Sequence, residues 1–258
     1  MAGGRYDRGM SKSPVDPTTA DGKLPDTETP PDAINLNVGG RELAGPERGF
    51  GQLWRKTYRV RLAGAGVSPQ DVIGRWKTRF SDYWPEGSEF YGSRPRIEAG
   101  EVAVINLEGP AGAPLATGVA VTHADDRSFV FITPQGHIFA GTITFSAYRP
   151  NDAPGVIVAQ VQSLIRAGDP LFEIGARLGI VHRREDTFWQ QTLTRLAADF
   201  GTHNQPVEME SALLDWRIRW RAAPNVWHNS AIRTTLYLPI HVLRRLFGRG
   251  RRGANHNA

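Results

Sequence analysis

The sequence predicts an α+β fold, a curved antiparallel sheet wrapped on a long C-terminal helix. Three observations carry that prediction. A strand-like and a helix-like segment come first, within residues 54–84. Several strand-like segments then follow between 101 and 165 with no helix among them. A long amphipathic segment closes the series after Asp169. An α/β fold would need helices between successive strands, and 101–165 offers none. A sheet gripping one helix satisfies the order and leaves room for a cavity between the layers.

Residues 1–48 are rich in Gly, Pro, Asp and Thr, with Tyr6 the lone aromatic before Phe50. The expectation is a disordered N-terminus, too poor in apolar surface to offset the entropy of ordering. Order is expected from Trp54. Tyr58, Val60 and Leu62 alternate with Thr57, Arg59 and Arg61, the period of a half-buried strand. Ser68-Pro69-Gln70-Asp71 reads as a helix start. Ser68 can cap, Pro69 suits the first helical position, and Asp71 complements the dipole. Val72, Ile73, Trp76 and Phe80 follow at helical spacing, with an end near Trp84-Pro85.

Strands are expected at Glu101–Leu107 and at Leu115–Thr122, the latter with Gly118 inside. Thr117–His123 and Ser128–Thr133 flank a turn-like Ala124-Asp125-Asp126-Arg127 and suit a hairpin. Ile138–Arg149 is a long strand candidate, ended by the turn Pro150-Asn151-Asp152-Ala153-Pro154. Gly155–Ile165 is a further strand. Ile157, Ala159, Val161 and Ile165 share one face, and Gln160 and Gln162 the other. Asp169-Pro170 then starts one long helix with a stripe of Leu171, Ile174, Leu178, Val181, Phe188, Leu193, Leu196 and Phe200. Gly175 and Gly179 weaken it or admit a close neighbour, and Gly201 suits its stop.

Beyond this helix, Met209, Leu213, Trp216 and Trp220 fall at helical spacing, as do Leu236, Ile240, Leu243 and Phe247. Pro239 should kink or restart the second run. The expected organisation is therefore a tail at 1–48, an α+β domain at 49–203, a helical appendix at 204–248 and a basic disordered end at 249–258. The net charge of +5 is unevenly spread. Nine arginines and one acid fall between Asp215 and Ala258, leaving the remainder net acidic. Contact with an anionic membrane or a polyanion belongs to that segment, through Trp216, Trp220, Arg244, Arg245, Arg249, Arg251 and Arg252. The same pattern suits a docked helix with a solvated arginine tail. Nucleic-acid binding has charge alone behind it and no recognition motif.

Several chemistries are excluded. Without cysteine there is no disulfide, no thiolate catalysis and no cysteine-based metal site. The seven histidines show no His-x-x-x-His, so no metal is expected. No Gly-x-Ser-x-Gly elbow or phosphate-binding glycine loop occurs, and Leu62-Ala63-Gly64-Ala65-Gly66 lacks the Rossmann spacing. No apolar run reaches the ~20 residues of a spanning helix, and no secretory signal follows Met1. The expectation is a cytoplasmic protein, soluble or peripheral to the membrane, with no cofactor.

One histidine stands apart. Thr133-Pro134-Gln135-Gly136-His137-Ile138-Phe139-Ala140-Gly141-Thr142-Ile143-Thr144-Phe145 sets His137 between two glycines at a strand mouth. The segment resembles a family known as domain of unknown function nineteen-ninety, with the signature Thr-Leu-Pro-Gly-His-Pro-x-x-Gly-Glu-x-x-Phe. Thr133, Gly136, His137, Gly141 and Phe145 fall in register, over a resemblance spanning residues 54–200. Pro134-Gln135 stands for Leu-Pro, Ile138 for a proline and Thr142 for the glutamate. That family is similar to START-like and polyketide-cyclase-like proteins, which bind apolar small molecules between sheet and helix. The resemblance implies an apolar or lipid-like ligand here.

The expected ligand-facing set is Trp84, Gly136, His137, Phe139, Gly141, Tyr148, Gln160 and Gln162. His137 is the one candidate acid or base. A turn histidine bonded to a neighbouring carbonyl is the plainer alternative. Three functions stay open: an apolar-ligand carrier, a cyclase- or hydrolase-like enzyme using His137, and a scaffold acting through its arginine-rich end. Thr142 in place of glutamate, with no paired acid, favours binding over catalysis.

Overall fold

Strand β1 (Leu53–Ala63) organises the sheet. Its alternation buries Tyr58, Val60 and Leu62 on one face. A computed structural model describes residues 14–30, 33–63, 66–109 and 114–239. The chain continues through α1 (Pro69–Thr78), β2 (Glu89–Tyr91), β3 (Val102–Glu108), β4 (Pro114–Ala124), β5 (Ser128–Ile132), β6 (Phe139–Tyr148) and β7 (Val156–Ala167). There follow α2 (Pro170–Arg177), α3 (Ile180–Asp199), β8 (Glu208–Asp215) and a further helix, α4, at 230–239. One antiparallel sheet holds all eight strands in the order β2-β3-β4-β5-β6-β7-β1-β8. The sheet closes on α3 as the sequence predicts.

The start of α1 follows its sequence. Ser68 Oγ accepts from Asp71 N at 3.1 Å, and the Asp71 carboxylate accepts from Ser68 N at 2.8 Å. This reciprocal cap satisfies two backbone donors that the helix leaves orphaned. Ser68→Ala will lower the unfolding free energy by about 1 kcal/mol, read by urea denaturation. An unchanged midpoint would show the cap to be idle.

The apolar half of the interior is filled with rings. Trp76, wholly buried, meets Phe129 and Phe145 edge-on at 5.8 and 5.4 Å. Phe80 lies within 5.7 Å of Trp84, Phe90, Phe129, Phe131 and Phe145. Trp189 brings α3 onto Phe145 at 5.4 Å. Each such ring contributes about 1.5–3 kcal/mol by leaving water.

Three expectations change. The closing helix is two helices. Gly179, at φ +73°, sits between α2 and α3 in a conformation that side chains resist. The stripe divides there: Leu171, Ile174 and Leu178 are exposed, while Leu193 and Leu196 are wholly buried. Turning at Gly179 lets α2 bury Phe172 and Ala176 instead.

The expected disorder of 1–48 does not extend over its described part. Leu24, Ala33 and Val38 pack on Val102, Val104 and Ala120, across the outer face of β3 and β4. Gly118 serves this contact, because a Cβ there would lie 2.5 Å from a Val38 methyl. A few apolar residues suffice when each finds a prepared site. Residues 1–13 lie outside the described residues.

The expected appendix helix at Glu208–Arg221 is a strand followed by irregular chain. The edge of β1 would otherwise expose unpaired backbone groups, and β8 covers it. Glu208 and Glu210 reach Arg61 and Arg59 across the pair at 3.3 Å each. After β8 come a 3-10 segment, Trp220–His228, and α4, whose last described residue is Pro239. Arg244, Arg245, Arg249, Arg251 and Arg252 lie outside the described residues. Among the described residues, no helix is long and apolar enough to cross a membrane.

Candidate functional site

The His137 segment is a junction of three chain regions. Leu43 bridges to Pro134, Ala44 N donates to Thr133 O, and Gln135 N donates to Glu42 O. From the other side, Ser230 N donates to Gly136 O at 2.9 Å. Gly136 has φ +92°, and a Cβ there would lie 2.0 Å from His228 O. Both reasons require glycine. The imidazole of His137 is 7% exposed, and its Nδ1 lies 3.0 Å from both the amide and the carbonyl of Phe139. Burial pushes its pKa down to about 4. It is a neutral, backbone-bonded histidine at neutral pH.

The other predicted site residues scatter. Gly141 lets β7 approach, since a Cβ would fall 2.2 Å from Leu164 O. Gln162 and Gln160 stand on the outer face, donating to Thr57 at 3.2 Å and accepting from Arg59 at 2.9 Å. Tyr148 is 38% exposed at the end of β6. Trp84 and Phe139 do face the interior. Trp84 touches Phe90 and Phe188, and Phe139 lies over His182 at 6.2 Å.

Around His182 the structure gathers polar groups that the sequence reading passed over. Lys56 lies on the inward face of β1 between Trp54 and Tyr58, paired in register with Ser163 of β7. His182, Glu185 and Asp186 come from one side of α3 at spacing i, i+3, i+4. Lys56 Nζ lies 2.7 Å from Asp186 Oδ1 and 3.1 Å from Glu185 Oε2. Ser163 Oγ donates to Glu185 Oε1 at 2.9 Å, and Tyr58 OH donates to Asp186 Oδ1 at 2.7 Å. Burial and the two carboxylates push the Tyr58 phenol far up, so it remains a donor. The Lys56 side chain is 3% exposed and that of Glu185 6%.

The cluster is not saturated. Glu185 Oε2 has the ammonium nearby but no aligned hydrogen bond, and His182 Nδ1 has none either. Thr117 Oγ1, wholly buried on the inward face of β4, also lacks a partner. Register pairs Ile143 with Ser163 on one side and Phe131 on the other, yet Ile143 is only half-buried in mid-sheet. Leu107, Phe90 and Phe188 are likewise partly buried at the edge of the core. Ile143 pairs in register with Ser163 of the cluster, and Phe188 follows Glu185 by one turn of α3.

The signal was present in the sequence. Lys56 and Ser163 occupy positions where the alternation calls for apolar residues, and His182-x-x-Glu185-Asp186 aligns on one helix side. Among the described residues no group of three His, Asp or Glu could hold a metal ion.

No family model matches the chain, so the resemblance over 133–145 rests on its five residues alone. No curated protein matches it. Among solved structures it is similar to the di-domain ARO/CYC StfQ from the steffimycin biosynthetic pathway, at 12% identity and TM-score 0.42. That match covers 58% of this chain and 50% of the other, so the chain spans half the length of the di-domain protein. It is similar to KanY protein (ms6282) at 10% identity and TM-score 0.41, over 56% of this chain and 95% of that one. Protein CV1439 from Chromobacterium violaceum is 18% identical with TM-score 0.36, over 56% and 96%. Likenesses this distant carry no weight on function. The fold stands on the sheet order and the helix it grips.

Proposed function

We propose that this chain binds a small apolar molecule in a groove between its sheet and α3, with a hydroxyl or similar donor facing the Lys56 cluster as the polar end. One observation carries the reading: half-buried Ile143 in mid-sheet, beside a buried Lys56–Glu185 pair whose Glu185 Oε2 lacks a hydrogen-bond partner. Buried polar atoms ordinarily find partners. Two carboxylates against one ammonium leave acceptors in excess, which favours a donor on the ligand. Apolar walls with a few convergent polar groups are the usual makeup of such a site. Binding rather than catalysis is the reading, because His137 meets only backbone.

The test is fluorescence titration with 1-anilinonaphthalene-8-sulfonate, paired with native mass spectrometry of freshly purified protein. The dye should bind, and a hydroxylated apolar molecule released from the protein should displace it. Ile143→Trp fills the groove and should weaken dye binding about tenfold, a loss of roughly 1.4 kcal/mol. An Ile143→Trp protein of unchanged circular dichroism that binds dye like the parent would refute the site.

A further inference from the structure

The groove leaves unused a second surface, formed by α2 and the chain after β8. Trp216, Trp220 and Trp227 are 72%, 74% and 80% exposed. Large aromatic surface left in water marks an interaction site. Trp216 and Trp220 line one open cleft of about 560 Å³ with Gln52, Arg177, Arg217 and Ile218. Their backbone is fixed, not trailing. Arg219 N donates to Phe50 O, the Arg219 guanidinium donates to Glu47 O, and the Trp220 indole rests edge-on against Phe50 at 5.3 Å.

The patch continues onto α2. Arg177 stands three residues after Ile174 and one before Leu178, and exposed Leu171, Ile174 and Leu178 share a helix side. The charge around it is net positive. Arg177 and Arg217 line the cleft with Trp216 and Trp220, and Arg219 and Arg221 flank Trp220 in sequence. Of the acids nearby, Asp215 pairs with Arg166 and Arg217 and Glu173 with Arg177, while Glu47 is exposed beside Arg219. Five more arginines follow residue 239, where the described helix ends.

We propose that this face docks on an anionic phospholipid surface, with the indoles at headgroup depth and the guanidinium groups on phosphates. Indole prefers that depth because one edge is apolar and the other donates. Arginine adds attraction to anionic lipid and forks onto phosphate oxygens. A second copy of the chain fits poorly, since it would press two arginine-rich faces together. The inference is independent of the groove.

The test is cosedimentation of the full chain with vesicles of phosphatidylcholine alone and of phosphatidylcholine mixed with phosphatidylglycerol. Binding to the mixed vesicles should be at least about tenfold tighter and should fall in high salt. Trp216→Ala/Trp220→Ala should weaken it about tenfold while circular dichroism stays unchanged, and Trp216→Ala alone, whose indole is mostly exposed, should weaken it without lowering the melting temperature. Ile143→Trp should bind vesicles like the parent. Failure to sediment, equal binding to neutral vesicles, or a double variant that binds like the parent would each overturn the proposal. Binding to an acidic peptide or a nucleic acid without binding to vesicles would also overturn it.

Discussion

Replacing Lys56 with methionine will lower the unfolding free energy by about 3–5 kcal/mol. The ammonium sits between Glu185 and Asp186, and its side chain is almost wholly removed from water. Without it, Glu185 keeps a buried charge with, among the described residues, the Ser163 hydroxyl still donating to it. Asp186 fares better, being partly exposed and still hydrogen-bonded by Tyr58. The cost is that of an uncompensated buried charge, more than the worth of the pair. Lys56→Met/Glu185→Leu should therefore recover most of the loss, because apolar packing can replace a buried ion pair at little cost. Urea denaturation of the three proteins decides it. A Lys56→Met midpoint near the parent's would mean that water reaches the site and that the pair is solvated.

Lowering the pH from about 6.5 to about 4 will remove on the order of 3 kcal/mol of stability through His137 alone. Desolvation depresses the folded-state pKa, and the hydrogen bond to Phe139 offsets only part of it. Above pH 6.5 neither folded nor unfolded imidazole is protonated, so the contribution is fully present. Between 6.5 and 4 the unfolded chain takes up a proton that the folded chain refuses. Stability is therefore lost as pH falls towards the folded pKa. Other groups titrate in this window, so the readout is the difference between the parent and His137→Gln. Glutamine can still bond the Phe139 amide, and its curve should run flatter by about one proton. Parallel curves would show that His137 is hydrated and titrates normally.

Most of the frame was legible because it is periodic. β1, α1 and β7 bury the residues that their alternation or helical spacing selects, and Ser68 and Asp169 cap the helices they precede. The Lys56 cluster was missed for a different reason. Alternation puts Lys56 on the face of Tyr58 and Ser163 on that of Val161, but their polarity argues for solvent, and the carboxylates of α3 that make them internal lie over a hundred and about twenty residues away. Met209, Leu213, Trp216 and Trp220 satisfy a helix by spacing, yet the unfilled edge of β1 claims the first two for a strand. That demand is long-range and leaves no local mark. His137 drew attention through its glycines, but these answer to backbone approach by His228 and by β7. The N-terminal segment misled by composition, since Leu24 and Val38 lie far apart in sequence and reach one sheet face together.

The place of β1 in the sheet has a consequence for synthesis. Of the eight strands of this sheet it is the first to be made, yet Tyr58 pairs with Val161 and Met209, more than a hundred and about 150 residues later. Until those strands emerge, both edges of β1 and its apolar face have no partner, and at ribosomal speed that interval lasts roughly ten seconds or longer. During that time the unpaired strand is exposed to aggregation. The yield of folded protein should depend more on elongation rate than on the stability of the finished fold.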